Sequence, residues 1–447
     1  MLIDEAFQPS DIEHLVDVEN ATASRQIFCD PGIWRMELQR IFTRTWLFVG
    51  HASEIPAAGD YVTRLMGNDP VILVRDAGGQ IRVLHNSCTH RGSLVCRGTS
   101  GNARGFTCPY HGWVFDNSGA IRATAMDDAL YKKHTDYHHF DLKRARVGTY
   151  GDLIFATWND DAISLDDYLG NARWYLDIMF HRTPEGMEVL GAPHRWVSTN
   201  NWKLGPMNFG ADGPHAVKVH GPITDATFAG GNARQMLRDA LIESPSVSMG
   251  NGHNGIWTQA PEAFPPFLGW EPALIELFQK TLTPEQLQLM QRAVASVSTI
   301  FPNFSWVQGP ASFEPATKMP TTFLAIRNWQ PIAHDRTEIW NWFLVEKEAS
   351  ETFKEEAKRM GIRTFSAGGT FDQDDAEAWH SIQRGVEGEI GRTLDVSFEM
   401  ALAYRDRALV DFPGPGTAYP SNYAEVTEFD VLVEWQRYMT GKIDWAR

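Results

Sequence analysis

Two short runs each put a cysteine and a histidine within reach of one metal atom: Cys88-Thr89-His90 and, after seventeen intervening residues, Cys108-Pro109-Tyr110-His111. The pairs come from two loops of one small β unit, and each pair can hold one iron. A [2Fe–2S] cluster with two thiolates on one iron and two imidazoles on the other uses this ligand set, and neutral imidazole in place of anionic thiolate raises its reduction potential. A structural zinc site has the same ligand types, but it carries its cysteines together and then its histidines, whereas here they alternate. Two unrelated core thiols would avoid the polar company of Asn86, His90, Arg91 and His111. Cys29 and Cys96 have no partner at such spacing and read as ordinary thiols, and four cysteines in 447 residues make no disulfide framework.

The surroundings of these loops read as all-β. Alternating runs at Tyr61–Leu65, Val71–Val74 and Ile81–Leu84 are separated by turn signals at Asn68-Asp69-Pro70, Gly78-Gly79 and Asp116-Asn117-Ser118-Gly119. Ahead of them, Arg35 to Phe48 has apolar positions at helical spacing and should run from helix into strand. Past Asp160, Thr283-Pro284-Glu285-Gln286 combines an N-cap Thr, Pro at the first helical position and Gln at the capping-box position, so a helix should start there. Ile300–Val307, Thr322–Trp329 and Glu338–Val345 are expected as strands of one antiparallel sheet, with helices near Glu351–Arg363 and Asp375–Arg384 packed on it. A chain this long exceeds one ordinary core. The expectation is an α+β protein with an N-terminal helical segment (1–37), a β domain (38–158) and a larger domain (159–447) whose antiparallel sheet is covered by helices.

A second constellation lies in Asn201 to His220, which contains Asp212, His215 and His220. Asp212 and His215, three apart, would share a helix face. His215 and His220, five apart, diverge on an ideal helix and converge only across an irregular turn, which Gly210, Gly213 and Pro214 favour. Two imidazoles and one carboxylate make the facial set of non-haem Fe(II) oxygenases, which leaves positions open for O2. The carboxylate has to come from elsewhere, and the acidic cluster Phe371-Asp372-Gln373-Asp374-Asp375, at an expected helix start where an acid would otherwise be an N-cap, is the candidate. A cluster that only moves electrons also needs an acceptor in so long a chain.

The stretches NSCTHRG and CPYHGWVFD resemble the two cluster-binding loops of Rieske ring-hydroxylating oxygenases, and the likeness to the large (α) subunits of that family extends over nearly the whole chain. The resemblance implies a Rieske [2Fe–2S] cluster on Cys88, His90, Cys108 and His111, and a mononuclear iron on His215, His220 and Asp375. It makes Asn208 a neighbour of the open face of the iron. It makes Asp212 a bridging carboxylate between His215 and a cluster histidine, His111, of a neighbouring subunit, hence an α3 or α3β3 assembly. It implies a helix-grip-like catalytic domain and a terminal oxygenase drawing electrons from NAD(P)H through a ferredoxin or flavin reductase. O2 and a small aromatic substrate would give a cis-dihydrodiol; a monooxygenase or demethylase with the same two metals is the alternative. Phe209, Phe365 and Phe371 are expected pocket walls. Met207 and Pro214 depart from the naphthalene-dioxygenase-like pattern, in which an acid and an aromatic residue stand at those places.

Forty basic against 56 acidic side chains give a net charge of −16, which argues against nucleic acid or anionic lipid as a partner. An acidic start and the lack of any apolar stretch near bilayer length point to a cytoplasmic protein. Gly250-Asn251-Gly252-His253-Asn254-Gly255 matches a dinucleotide fingerprint, but the prolines after it forbid the required helix, so a loop is expected and NADH is assigned to a separate reductase. His134, His138 and His139 read as a solvated patch, and Lys218 as a solvent-facing side chain.

Overall fold

A computed structural model of the chain describes residues 9–124, 138–222, 224, 233–313 and 319–443. His134 lies outside the described residues. The backbone forms two compact units, one spanning 42–165 and one built from the segments before 42 and after 165.

The segment of the second unit before residue 42 includes a helix, α1 (Pro31–Glu37), whose N-cap Asp30 accepts the backbone N–H groups of Gly32 and Ile33. The helix loosens into a π turn over Leu38–Phe42. Next in the chain is the smaller unit, whose described residues form ten short strands: β1 (Leu47–His51), β2 (Asp60–Met66), β3 (Asp69–Arg75), β4 (Ile81–His85), β5 (Ser100–Asn102), β6 (Gly105–Thr107), β7 (Val114–Asp116), β8 (Ile121–Ala123), β9 (Arg146–Tyr150) and β10 (Leu153–Thr157). They pair in three antiparallel sheets, ordered β4-β3-β2-β5, β8-β7-β6 and β9-β10-β1. The turn expected at Asn68-Asp69-Pro70 is tighter than its sequence suggests. Met66 pairs with Asp69, so Gly67 and Asn68 alone make the turn, with Gly67 at φ 62°, and Pro70 sits near the strand start, where a missing N–H does little harm.

The larger unit is organised by one nine-stranded antiparallel sheet. Its members are β11 (Met187–Val189), β12 (His194–Ser198), β13 (Ser246–Gly250), β14 (His253–Gln259), β15 (Ala293–Ile300), β16 (Phe304–Ala311), β17 (Thr321–Ala333), β18 (Arg336–Glu346) and β19 (Thr417–Tyr419). The order is β11-β18-β17-β16-β15-β14-β13-β19, with β12 also pairing β18. Helices of this unit include α2 (Leu204–Ala211), α3 (Gly213–Lys218), α4 (Pro284–Met290), α5 (Glu351–Thr364), α6 (Thr370–Glu387) and α7 (Val426–Thr440). Helices α2, α5 and α7 pack on the sheet. The result is α+β, with an antiparallel sheet covered by helices. β17 is buried without interruption from Thr322 to Pro331, so both its faces are covered, and its alternate residues Phe323, Arg327 and Trp329 meet the helix layer. Thr283 caps α4 through the expected reciprocal bonds with Gln286.

Three expectations require correction. Ile300–Val307 is not one strand: β15 ends at Ile300, which pairs with Phe304, and Phe301-Pro302-Asn303 turns the chain because Pro302 cannot continue a hydrogen-bonded ladder. Gly250–Gly255 is not a loop but the bend of the β13–β14 hairpin, with Gly250 and Gly252 at φ 88° and 70°. The helix expected at Asp375 begins at Thr370 with Gly369 as its extended N-cap, so the acids of 372–375 lie inside its first turns. Negative charge there suits the positive end of the helix, which is why the pattern resembles a cap. Among the described residues no helix is long and apolar enough to cross a membrane.

Candidate metal centres

The first centre belongs to the smaller unit. Cys88 and His90 stand on the loop after β4, and Cys108 and His111 on the loop between β6 and β7. Both loops close alike. The carbonyl of Cys88 accepts the N–H of Gly92 at 2.7 Å, and that of Cys108 the N–H of Gly112 at 3.0 Å. Gly92 and Gly112 adopt φ 78° and 71°, a left-handed turn that a Cβ would strain. The turn throws backbone N–H groups back at each sulfur: those of His90 and Arg91 at Cys88, and those of Tyr110 and His111 at Cys108. Such donors favour thiolate and raise a cluster's potential. Sequence reasoning did not use these glycines, although their spacing from the cysteines was the signal.

The four side chains meet. Cys88 and Cys108 are buried at 3% and 2% exposure in one apolar cluster with Trp113 and Phe106. The rings of His90 and His111 lie 4.6 Å apart, and Trp113 stacks on His90 at 4.8 Å and 9°. Nδ1 of His90 and Nδ1 of His111 are both buried without a hydrogen-bond partner among the described residues. Two imidazole nitrogens left unsatisfied beside two buried thiols fit a metal cluster and fit little else, since a buried polar atom without a partner is costly. Cys29 and Cys96 are buried and form no disulfide, and Cys96 lies in the same apolar cluster as Cys88 and Cys108. His138 and His139 are exposed, as is Lys218 in the other unit.

The second centre lies in the larger unit, where the chain breaks twice. α2 stops at Ala211, Asp212 takes φ −84° and ψ 74°, and α3 restarts at Gly213-Pro214. Asp212 therefore caps α3 rather than sharing its face, and its carboxylate accepts the backbone N–H of His215 at 3.2 Å. The second break comes after Lys218, where α3 ends and lets His220 swing back until the two imidazoles are 5.1 Å apart. Asp375 arrives from the second turn of α6. One nitrogen or oxygen from each of His215, His220 and Asp375 lies within 4.8 Å of the others. Nε2 of His215 is 3.5 Å and Nε2 of His220 3.2 Å from Asp375 Oδ1, which has no hydrogen-bond partner among the described residues. Two buried or half-buried imidazoles converging on an unsatisfied carboxylate fit a divalent cation with a two-His, one-carboxylate shell.

Geometry separates the three acids of the cluster. Asp375 is 2% exposed and faces both imidazoles. Asp374 has a side chain 42% exposed and lies 3.8 Å from His220 Nδ1. Asp372 is engaged by Arg327, whose Nη2 stands 2.5 Å from its Oδ2. Burial pushes Asp372 up to about 6, although the Arg327 charge pulls the other way. Arg327 was missed in the sequence, where a lone arginine in an apolar run carries no signal of burial.

Behind the imidazoles, Nδ1 of His215 faces Asp212, with the carboxylate Oδ2 at 3.3 Å, and the amide of Asn208 lies 3.3 Å from the same nitrogen. Burial works against a charged His215, yet the Asp212 carboxylate overcomes it and raises the imidazole to about 9. Metal needs the imidazole unprotonated, so a cation has to displace that proton. Apparent iron affinity of the metal-free protein should therefore rise about tenfold per pH unit up to about 9. Anaerobic Fe(II) titrations near neutrality and one unit higher measure this, and equal affinities at both would contradict it.

The aromatic residues divide. Phe371 lies 4.9 Å from His220, and Phe365 stacks on Phe371 at 5.4 Å and 11°. Phe209, one residue past Asn208, packs 5.3 Å from Trp329 of β17 and under Arg327.

Comparison with known proteins agrees with both centres. The Rieske [2Fe-2S] domain model matches residues 45–133, and the ring hydroxylating alpha subunit (catalytic domain) model matches residues 165–412. The chain is 35% identical to the biphenyl 2,3-dioxygenase subunit alpha of Rhodococcus jostii (strain RHA1), over 98% of this chain and 93% of that one. It is 34% identical to the N,N-dimethyl phenylurea N-demethylase subunit alpha of Sphingobium sp. (strain YBL2), over 93% and 91%. The naphthalene 1,2-dioxygenase from Rhodococcus sp., solved with indole bound, superposes with a TM-score of 0.90 at 34% identity, covering 95% of this chain and 96% of that one. With both domains matched and relatives aligned almost end to end, the chain belongs to the Rieske ring-hydroxylating oxygenases as an α subunit, an oxidoreductase of the kind that takes a [2Fe–2S] cluster in one domain and a mononuclear iron in the other.

Proposed function

We propose that the chain is the terminal oxygenase of a multicomponent aromatic-ring dioxygenase in the cytoplasm, acting on a small aromatic substrate to give a cis-dihydrodiol. The observation that carries this is the convergence of His215 Nε2, His220 Nε2 and Asp375 Oδ1 in a unit distinct from the one holding the cysteine–histidine loops. Cys88, His90, Cys108 and His111 would hold the cluster, and His215, His220 and Asp375 the single iron. When bound, these groups supply one-electron transfer and O2 activation respectively.

The protein's own part is orientation. Asp212 turns His215 so that Nε2 faces Asp375, since it takes up the ring's other nitrogen. Asn208 backs the same nitrogen and so restricts the ring's rotation. Phe365 and Phe371 form an apolar wall beside His220, suited to a flat ring, with Phe209 deeper against the sheet. In an α3 or α3β3 assembly, Asp212 would also accept a hydrogen bond from a cluster histidine of the neighbouring subunit, and a ferredoxin or flavin reductase would supply electrons from NAD(P)H.

The 34% identity to a demethylase α subunit favours a second reading, monooxygenation on the same two metals. Turnover of biphenyl, naphthalene and an N-methylated aromatic with a surrogate reductase under 18O2 separates the two. Two labelled oxygens in one product support dioxygenation; one labelled oxygen in a hydroxylated product, or release of formaldehyde with an unlabelled demethylated product, supports the second reading. No product from any of them contradicts both.

A further inference from the structure

Asp372 stands three residues before Asp375 on α6, so both carboxylates project from one helix face. Both are buried, and Asp372 feels the charges of Asp375 and of His220. A second carboxylate in that place is a ready ligand for a divalent iron. Its Oδ1 is buried and has no hydrogen-bond partner among the described residues, so half of the group is uncommitted. The other half is held by Arg327. That guanidinium is itself fixed: Nε donates to Asn341 Oδ1 at 3.1 Å, and the rings of Phe209, Phe365, Trp329 and Trp196 surround it at 4.9 to 5.7 Å. Arg327 and Asp372 are 0% and 4% exposed, so water offers neither an alternative partner.

We propose that Arg327 is a positioning residue that keeps Asp372 off the iron, and so preserves a one-carboxylate shell with open positions. This rests on the assignment of His215, His220 and Asp375 as the iron ligands. The logic is charge competition. A buried carboxylate that loses its arginine must find another cation, and the nearest would be the metal one helical turn away. Asp372 would then occupy a position that O2 needs, with the iron still present.

The test compares the protein, reconstituted with Fe(II), with Arg327→Met and with Arg327→Met/Asp372→Leu. Nitric oxide is the probe, because its Fe(II) adduct gives an electron paramagnetic resonance signal only where a position is open. Arg327→Met should retain iron but lose nitrosyl signal and product formation by about 10- to 100-fold, the range seen for partners of metal ligands. Arg327→Met/Asp372→Leu, which removes the competing oxygen, should recover the signal to within about twofold of the parent, since removing both members of a buried pair is far milder than removing one. If Arg327→Met does not fold, Arg327→Gln replaces it in the same comparison, because an amide keeps polar donors near Asp372 but removes the charge. Loss of iron from the single variant, or a signal that the second substitution fails to restore, would overturn the proposal. A parent protein with no nitrosyl signal would instead overturn the ligand assignment on which it rests.

Discussion

Asp375→Ala should reduce hydroxylated product by at least about 100-fold while leaving the visible spectrum of the [2Fe–2S] cluster unchanged. The magnitude is set by the fact that partners of metal ligands alone cost up to about 100-fold, and Asp375 is itself the point on which both imidazoles converge. The protein should still fold. Asp375 Oδ1 has no hydrogen-bond partner among the described residues, so its removal strands no donor and relieves a buried negative charge. Product assay and the absorption spectrum on one preparation check this. Retention of more than about a tenth of parental turnover, against the loss expected for a metal ligand, would rule Asp375 out.

Glu37→Ala should destabilise the fold by about 3–5 kcal/mol, the cost of breaking a fully buried ion pair. The Glu37 carboxylate accepts from Lys203 Nζ at 2.5 Å, Trp202 Nε1 at 2.8 Å and Trp435 Nε1 at 2.7 Å, and neither Glu37 nor Lys203 has any exposed side-chain surface. Alanine would leave an ammonium and two indole N–H groups without an acceptor. These contacts tie α1 to the residues that open α2 and to α7, so the loss would also loosen the helix that carries Asn208 and leads to Asp212. The companion Glu37→Leu/Lys203→Met should lose much less, because it removes both charges. Denaturant or thermal midpoints measure the difference, and equal destabilisation by the two would contradict the account.

These two sites differ in how far they can be read from sequence. The Cys88–His90 and Cys108–His111 loops are legible because each pair of ligands is local, so spacing alone restricts the chemistry. His215 and His220 are hard to read as a pair, because Gly213 and Pro214 only restart the helix ahead of His215, and the break that brings the rings together comes after Lys218, with neither Gly nor Pro between the two histidines. Asp375 is not separable from Asp372 and Asp374 by spacing. That choice depends on which acid another strand neutralises, and Arg327 on β17 does so for Asp372. Glu37 sits four residues after Ile33 on the buried stripe of α1, a position where a charge signals a buried partner, but the partner lies in a segment far along the chain. The β15–β16 hairpin reads as one strand because apolar residues flank Pro302 on both sides, and their hydrophobicity outweighs the missing N–H in the pattern. Tertiary pairing of charges and turns inside apolar runs are the two features that one-dimensional pattern conceals.

An electron-relaying iron pair and a separate single iron in one chain have a stoichiometry that can be counted. Metal and sulfide analysis of the anaerobically reconstituted protein tests it most directly. About three irons and about two acid-labile sulfides per chain, falling to about two irons in Asp375→Ala with sulfide unchanged, is the predicted result. About two irons per chain in the parent and in Asp375→Ala alike would contradict it.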